Sequence, residues 1–258
     1  MGNSIIKTMN QKLLSLIIPA RNEEKSILAT VSSFSTTLKR EKIPFEIIVI
    51  DDHSIDHASD VMKKYALKNK EIFVFQNTFA PGFGFAIRTG LEHFHGSYVA
   101  IVMADLSDDP HDLVKMYKKA KEGYDCVFGN RFIKGAWVIN YPIHKLVLNR
   151  LVNNGIRFLF MIRYKDVTNA FKLYSRETIE GLRPILSNYF NITVELPLKA
   201  IIRGYRYAVI PTNWTGRKIG ISRLKLTEMG SRYFFIILYC FLEKILSHGD
   251  YKKQNKKR

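Results

Sequence analysis

The fold of this chain is decided at residues 97–110, which read Ser-Tyr-Val-Ala-Ile-Val-Met-Ala-Asp-Leu-Ser-Asp-Asp-Pro. Residues 98–103 form a short apolar run, which is typical of a strand that a parallel sheet buries between layers of helices. The run ends at acidic and hydroxyl side chains, and Pro110 then suits the first turn of a helix. Carboxylates therefore follow the carboxyl end of a predicted central strand, where open α/β sheets bind their ligands.

This acidic group has two interpretations, and the stretch alone leaves both open. Carboxylates with a neighbouring hydroxyl suit a hard divalent cation such as Mg²⁺ or Mn²⁺, which in turn holds phosphates. An ordinary helix N-terminus accounts for the same residues, because aspartate is favoured in a first turn.

Length and charge narrow the classes of protein. The 258 residues suffice for one large α/β domain with a small appendage, and the amino terminus has no apolar stretch suited to a signal peptide. The two cysteines lie in apolar runs without metal-type spacing, so we expect a reducing compartment and no disulfide framework. The net charge of +17 indicates an anionic partner: a nucleic acid, an anionic membrane surface or a phosphorylated substrate.

Strand and helix patterns alternate along the chain, which predicts a mostly parallel sheet with helices on both faces. The predicted strands are 13–19, 45–50, 71–76, 98–103, 125–129 and 206–213, with 166–174 either irregular or a strand. The predicted helices are 26–39, one within 53–69, 85–94, 111–122, 141–160 with a break near Gly155, 177–186, 194–202 and 225–246.

Acidic residues follow three of the early strands: Glu23, the pair Asp51 and Asp52, and Asp105. A parallel sheet brings such strand ends together at one edge. A nucleotide needs acceptors for its base and ribose, and a metal for its diphosphate. A turn followed by a helix cap explains Asp51 and Asp52 on their own, but the three positions together favour a nucleotide site.

A series of motifs in this order resembles the family 2 glycosyltransferases of the GT-A fold, and among them the dolichol-phosphate and polyprenyl-phosphate mannose and glucose synthases. Each motif alone is weak, but their number and order, from about residue 13 to 226, make the resemblance specific. The motifs are 16–23 (Leu-Ile-Ile-Pro-Ala-Arg-Asn-Glu), 48–54 (Ile-Val-Ile-Asp-Asp-His-Ser), 81–86 (Pro-Gly-Phe-Gly-Phe-Ala), 104–107 (Ala-Asp-Leu-Ser), 129–132 (Gly-Asn-Arg-Phe), 166–176 and 215–224.

The resemblance implies an α/β fold of the GT-A type, a Rossmann-like nucleotide-diphospho-sugar transferase domain over 1–226. Residues 227–258 would follow as a carboxyl-terminal apolar helix with a basic tail. The implied reaction moves a hexose, with inversion, from an NDP-sugar to a polyprenyl phosphate such as dolichyl or undecaprenyl phosphate, with a divalent metal (Mg or Mn) as cofactor. The implied place is the cytoplasmic face of a membrane, in the biosynthesis of cell-envelope glycans.

The resemblance also assigns residues to three sites. Because the acceptor phosphate is already anionic, it needs cations to position it more than a strong base, and guanidinium groups bind phosphate oxygens bidentately. Asp105 and Arg131 are the expected catalytic residues. The nucleotide-sugar site would contain Pro19, Arg21, Glu23, Asp51, Asp52, Gly82 and Asp105; the acceptor-phosphate site Arg131, Lys172, Arg217 and Ser222; and the metal site Asp105 and Ser107.

One departure from the family pattern keeps other functions open. Met103 stands where the family's metal motif has its first aspartate, with Asp108 as a compensating carboxylate, and Lys172 replaces an arginine. The alternatives are a transferase of the same fold with a glycan or other soluble acceptor, and a non-catalytic homologue that binds nucleotide sugars. A nucleic-acid-binding protein is disfavoured, since no such motif is present and the acidic strand ends would repel phosphate without a metal.

The carboxyl-terminal region predicts contact with a membrane surface. Residues 233–242 carry no charge, but they are too few to cross a bilayer, which takes roughly 20 apolar residues. They lie between Arg232 and Lys244, and the basic tail 252–258 follows, as in an interfacial helix with an anionic-lipid tether. A buried core helix, or one that docks on a membrane-protein partner, is the alternative.

Overall fold

The computed structural model describes residues 13–216 and 226–253, with side chains at all of these except 226–229. The strands are β1 (Leu14–Ala20), β2 (Phe45–Asp51), β3 (Ile72–Gln76), β4 (Tyr98–Ile101), β5 (Cys126–Asn130), β6 (Val138–Ile139), β7 (Lys172–Ser175), β8 (Tyr207–Pro211) and β9 (Trp214–Thr215). The helices are α1 (Ile27–Arg40), α2 (Ala58–Ala66), α3 (Phe83–His93), α4 (Pro110–Ala120), α5 (Ile143–Phe160), α6 (Arg176–Gly181), α7 (Ile192–Ile202) and α8 (Leu226–Leu246).

The central sheet has seven strands in the order β3-β2-β1-β4-β7-β5-β8, and β6 pairs with β9 in a small parallel sheet. The strand β7 runs antiparallel to both of its neighbours, while the other pairs in the large sheet are parallel. The predicted mostly parallel sheet is therefore confirmed. Because β1 pairs with both β2 and β4, the chain reverses its direction of strand addition beside β1, which is where such sheets form their ligand crevice.

Helices cover both faces of the sheet, which explains why every residue of β1 is buried. Leu16 and Ile18 pack in one core cluster with residues of α1 and α4, whereas Ile17 packs in the other cluster with residues of α3 and α7. Alternate side chains of a strand point to opposite faces, so a strand covered on both sides must be apolar at consecutive positions. The unbroken apolar runs of the sequence follow from this burial.

Several element boundaries differ from the sequence prediction. The strand β4 ends at Ile101, although the following backbone N–H of Val102 still donates to Ile17 O at 3.0 Å. Helix α4 begins at Pro110 as predicted, with Asp109 as its N-cap, because the Asp109 carboxylate accepts from the His111 N–H at 2.9 Å. Helix α5 runs through Gly155 without the predicted break.

Helix α6 ends at Gly181, so residues 183–186, for which the sequence predicted more helix, belong to a loop that continues to residue 188. A buried ion pair on α7 holds this loop: the Glu195 carboxylate accepts from the N–H groups of Leu186 and Ser187 at 2.8 and 2.7 Å. The Lys199 ammonium lies 2.6 Å from the same carboxylate. The loop in turn caps the start of α3, where the Phe85 N–H donates to Asn188 O at 3.0 Å.

Replacing Gly84 by alanine should destabilise the protein. A Cβ at this position would lie 2.5 Å from backbone atoms of Ser187 and Asn188, so the loop must move, at a cost of about 1–3 kcal/mol. Gly155→Ala is the matched control, because nothing lies within 4 Å of its Cβ position and alanine in an exposed helix stabilises by about 0.5–1 kcal/mol. Chemical denaturation measures both, and a neutral Gly84→Ala would contradict the close approach.

Candidate active site

The loops that follow β1, β2 and β4 are joined at one edge of the sheet. The Asn22 N–H donates to Ser54 Oγ at 3.0 Å, and the Asn22 side chain accepts from the Ile55 N–H at 2.8 Å. On the other side, the Thr30 hydroxyl of α1 donates to Ala104 O at 3.0 Å. The structure thus brings together the three acidic strand ends that the sequence placed at a common edge.

The carboxylates after β2 are buried and engaged with backbone. Asp52 accepts from the Gly82 N–H with both oxygens at 3.0 Å and from the Asn77 amide at 2.6 Å. Asp51 accepts from the Ser54 N–H at 3.1 Å. Asp52 therefore fixes the loop before α3, and Gly82 lies in direct contact with it, as the nucleotide-site prediction groups them.

The remaining donor-site residues lie on β1 and the loop after it. Pro19 is buried within β1, and Arg21 is exposed directly after the strand. Glu23 accepts from the Ser26 hydroxyl at 2.8 Å at the start of α1. These positions put one guanidinium and one carboxylate next to the carboxyl end of β1. The assignment of Pro19, Arg21 and Glu23 to a nucleotide site stays a prediction.

The loop after β4 carries three carboxylates, of which Asp109 caps α4 and the other two have different surroundings. Asp105 is partly exposed, and its carboxylate accepts from the Ser107 N–H at 3.2 Å. Asp108 is buried and accepts from the Met103 N–H at 3.0 Å, and this burial raises its pKa to about 7. Asp108 is therefore held inside the loop by the Met103 N–H, and its compensating role stays a prediction. Asp105 is the more exposed of these two carboxylates.

The donor set of this loop fits a magnesium or manganese ion whose other ligands come from substrate. No cluster of three or more His, Cys, Asp or Glu side chains suited to a metal occurs within 13–216 and 226–253. Mg²⁺ is commonly held by one or two carboxylates together with substrate phosphates and water. Asp105 supplies one carboxylate, and the buried Ser107 hydroxyl beside it makes no hydrogen bond within the described part of the chain.

Arg131, directly after β5, is the buried cation of the site. Its backbone N–H, Nε and Nη2 donate to the Asp166 carboxylate at 3.0, 2.9 and 2.8 Å. Burial disfavours the charge, but the attraction of Asp166 outweighs it and raises the Arg131 pKa above its usual range. The guanidinium carbon also lies 5.6 Å from the ring of Tyr141 and 5.9 Å from that of Trp214.

Sequence reasoning missed two of these partners. Asp166 entered only as the first residue of a motif, and Tyr141 only as the start of a predicted helix. The signal that could have pointed to them is chemical: an arginine that follows a buried strand needs a carboxylate or aromatic faces around it.

The short strand β9 connects the acidic loop to the surroundings of Arg131. Trp214 forms an antiparallel bridge with Asp108, and the Thr215 N–H donates to Ser107 O at 3.2 Å. The ring of Trp214 lies 4.9 Å from that of Tyr141. The predicted acceptor loop follows directly, and its residues Arg217 and Ser222 lie outside the described residues.

Lys172 is placed differently from the prediction. It is 1% exposed, and its ammonium donates to the carbonyl oxygens of Val167 and Thr193 at 2.9 and 3.2 Å. Burial lowers its pKa to about 7, although the Asp166 carboxylate opposes the shift. A side chain in this position holds backbone in place and is closed off from an acceptor phosphate.

Lys172→Met should remove a pH dependence of stability. The lysine pKa falls from 10.5 in the unfolded chain to about 7 in the folded protein, so between these values folding releases a proton and stability rises with pH. From pH 7 to about pH 9 the wild type should gain about 2 kcal/mol relative to the variant. Urea denaturation of both proteins across this range measures the difference, and a constant difference would show that Lys172 stays charged.

Comparisons with known proteins agree with the sequence resemblance. The profile of the family Glycosyl transferase family 2 matches residues 15–183. The polyprenol monophosphomannose synthase of Mycolicibacterium smegmatis is 28% identical over 225 residues, which cover 85% of this chain and 83% of that protein. The dolichol-phosphate mannosyltransferase of Pyrococcus furiosus is 30% identical over 220 residues, 82% of this chain and 59% of that protein.

Solved structures share the fold. The glucosyl-3-phosphoglycerate synthase of Mycobacterium tuberculosis in complex with UDP aligns with a TM-score of 0.65 at 18% identity, over 93% of this chain and 82% of that chain. Its complex with Mn²⁺, UDP and glucosyl-3-phosphoglycerate aligns with a TM-score of 0.66, over 93% and 81% of the two chains, again at 18% identity. The predicted GT-A-like α/β fold is therefore confirmed.

Proposed function

The chain belongs to glycosyl transferase family 2, and from that premise we propose that it transfers a hexose from an NDP-sugar to a polyprenyl phosphate. In this reaction an oxygen of the lipid phosphate forms the new bond to the anomeric carbon as the bond to the nucleoside diphosphate breaks, with inversion. The observation that carries the proposal is the buried Arg131, which β9 joins to the Asp105 loop. Arg131 would then serve the acceptor and Asp105 the donor, on two loops that β9 connects.

The NDP-sugar would bind at the sheet edge formed by the carboxyl ends of β2, β1 and β4. The nucleoside and its phosphates would contact Asp51, Glu23 and Arg21. Asp52 fixes the loop before α3 through its hydrogen bonds with the Gly82 N–H. Asp105, with Ser107, would hold Mg²⁺ or Mn²⁺. Bound there, the ion supplies positive charge against which the leaving diphosphate is stabilised.

The phosphate of the polyprenyl acceptor would bind to Arg131 and to the basic loop after β9. A guanidinium fixed by Asp166 and aromatic faces has lost its rotamer freedom before the acceptor arrives, so less entropy is lost on binding a phosphate. Arg217 and Ser222 would complete this site from the acceptor loop. The names of the two sequence relatives, both of which refer to polyprenol or dolichol phosphate, favour a lipid acceptor over a glycan or a soluble one.

We also propose that the enzyme works as a peripheral protein at the cytoplasmic face of a membrane, in cell-envelope glycan synthesis. None of the helices in the described part of the chain has the length and apolar character that crossing a bilayer requires. Helix α8 buries Ile236 and Cys240 against the core, while Phe234 and Phe235 are exposed. A face of this kind is what the predicted interfacial helix requires.

A panel of radiolabelled NDP-sugars with polyprenyl phosphate and Mg²⁺ or Mn²⁺, followed by organic extraction, tests the reaction and identifies the donor. Label should enter the organic phase with one sugar of the panel. A parallel panel in which a glycan or other soluble acceptor replaces the polyprenyl phosphate tests the alternative, which a labelled product in that panel alone would establish. A protein that binds the nucleotide but forms no product with either acceptor class would be the non-catalytic homologue.

Asp105→Asn should lower the rate of transfer more than about tenfold, which is a loss above about 1.4 kcal/mol of transition-state stabilisation. The physical reason is that the proposed metal would lose the carboxylate assigned to it in the loop after β4. Asp60→Asn on α2 is the control, because its side chain is exposed and lies outside the site. A variant with near-normal activity and an intact fold would place the metal elsewhere.

Arg217→Ala should raise the KM for polyprenyl phosphate about tenfold, since hydrogen bonds to charged groups contribute about 1.5–3 kcal/mol, with little change in the KM for the NDP-sugar. Arg131→Lys keeps the charge next to Asp166 but loses the forked geometry of the guanidinium. It should also raise the KM for polyprenyl phosphate. Lys68→Ala, at the end of α2, is the control. If these two arginine variants show normal acceptor kinetics but bind the nucleotide weakly, the arginines belong to the nucleotide site and not to the acceptor-phosphate site.

A further inference from the structure

Helix α5 presents apolar side chains where a surface helix usually presents polar ones. Ile143, Val147, Leu151 and Phe158 are exposed, and their spacing of four or seven residues puts them on one face. Phe158 is 88% exposed, as is the neighbouring Met161 at 87%. Single exposed hydrophobic residues are ordinary, but a contiguous apolar patch marks a surface that contacts something other than water.

Helix α8 lies beside α5 and carries further exposed apolar side chains. Near its carboxyl-terminal end α8 packs on the end of α5, with the rings of Phe160 and Phe241 6.0 Å apart and the Lys244 ammonium donating to Phe160 O at 2.8 Å. Of the twenty large hydrophobic side chains that are exposed in the described residues, twelve lie on these two helices or at Met161. Those twelve are Ile143, Val147, Leu148, Leu151, Phe158, Met161, Phe234, Phe235, Leu238, Leu242, Ile245 and Leu246.

The charges around α5 have one sign. The segment 132–165 contains no aspartate or glutamate but six cations, which are Lys134, Lys145, Arg150, Arg157, Arg163 and Lys165. The buried pair of Arg131 and Asp166 at its two ends is neutral as a unit. In residues 230–246 of α8 the one acidic residue is Glu243, which is buried and paired with Arg203 at 2.7 Å. Protein partners usually present charges of both signs, whereas a basic apolar helix face suits the headgroups and acyl chains of an anionic bilayer.

We propose that α5 and α8 together lie in the surface of an anionic bilayer, and that α5, more than the basic tail, is the principal contact. Of the two tail lysines that the structure describes, Lys253 is paired with Asp125 at 2.7 Å, so it is partly neutralised. The exposed phenylalanine and leucine side chains of α5 would enter the boundary between headgroups and acyl chains, while its cations meet lipid phosphates.

This surface deepens the proposed function and rests on it. Helix α5 begins two residues after Tyr141, whose ring lies beside Arg131 and Trp214. A bilayer on the α5 face would therefore adjoin the proposed acceptor site. A polyprenyl phosphate could then present its phosphate to Arg131 while most of its chain stays in lipid.

Co-sedimentation of the full chain with vesicles tests the surface without donor or polyprenyl phosphate. The double variant Leu151→Glu/Phe158→Glu should bind phosphatidylglycerol-containing vesicles about tenfold or more weakly than the wild type, because it removes buried apolar area and adds repulsion. The control is Leu67→Glu/Phe73→Glu, which makes the same changes at exposed residues near β3. It should bind within about twofold of the wild type, since a change away from the lipid surface leaves the contact intact.

A second measurement does not depend on charged substitutions. Cys126 and Cys240 are both fully buried, so a thiol-reactive, polarity-sensitive fluorophore will label one introduced cysteine selectively. Emission from labelled Phe158→Cys should rise and shift to the blue on adding the anionic vesicles, and emission from labelled Leu67→Cys should not change. Truncation after Asp250 should weaken binding at low salt less than the α5 double variant does.

Vesicle binding by the α5 variant that equals that of the wild type would overturn the proposal. So would an equal loss of binding in the control variant, or a labelled residue 158 that stays in water. A wild-type dimer that the α5 variant abolishes would assign the patch to a second copy of the chain. Vesicle docking without any lipid-linked sugar product in the transfer assay would refute the proposed reaction and leave this surface intact, so the two failures are distinguishable.

Discussion

The parallel pairing of β1 with both β2 and β4 is the constraint on which the rest of the site depends. It fixes the register of three strands, so that the loops after residues 20, 51 and 101 leave the sheet at the same edge. Because β1 is buried on both faces, a slip in register would expose apolar side chains and bury polar ones. The acidic side chains at the edge are therefore positioned by the packing of the core.

Burial of charge at this edge is costly, and the structure balances it with specific partners. Arg131 is matched by Asp166, while Lys172 and Asp108 are held by backbone groups. Removing one partner of a buried ion pair typically costs about 3–5 kcal/mol, because the other charge is left unpaired. A cation immobilised at this cost is well suited to bind a doubly charged phosphate, and β9 ties it to the loop that carries Asp105.

Local patterns were sufficient to predict most strands and helices, the parallel sheet and the acidic edge, because apolar runs and helix caps act over a few residues. They could not predict that β7 enters antiparallel between β4 and β5, since strand order depends on distant contacts. For the same reason Lys172 looked like a ligand in the sequence but is buried, and the pairing of Arg131 with Asp166, which lie 35 positions apart, was not foreseen. The apolar face of α5 was overlooked because a stripe on a helix indicates a core face unless the structure shows it exposed.

The central claim is that the donor diphosphate completes a metal site to which the chain itself contributes a single carboxylate, Asp105. Binding of Mn²⁺, followed by electron paramagnetic resonance of the free ion, tests this claim directly when it is measured with and without a nucleoside diphosphate. We predict weak binding to the protein alone and binding about tenfold or more tighter with the nucleotide, because substrate phosphates supply the missing ligands, and we predict that Asp105→Asn abolishes this gain. Tight Mn²⁺ binding that needs no nucleotide and survives Asp105→Asn would contradict the account.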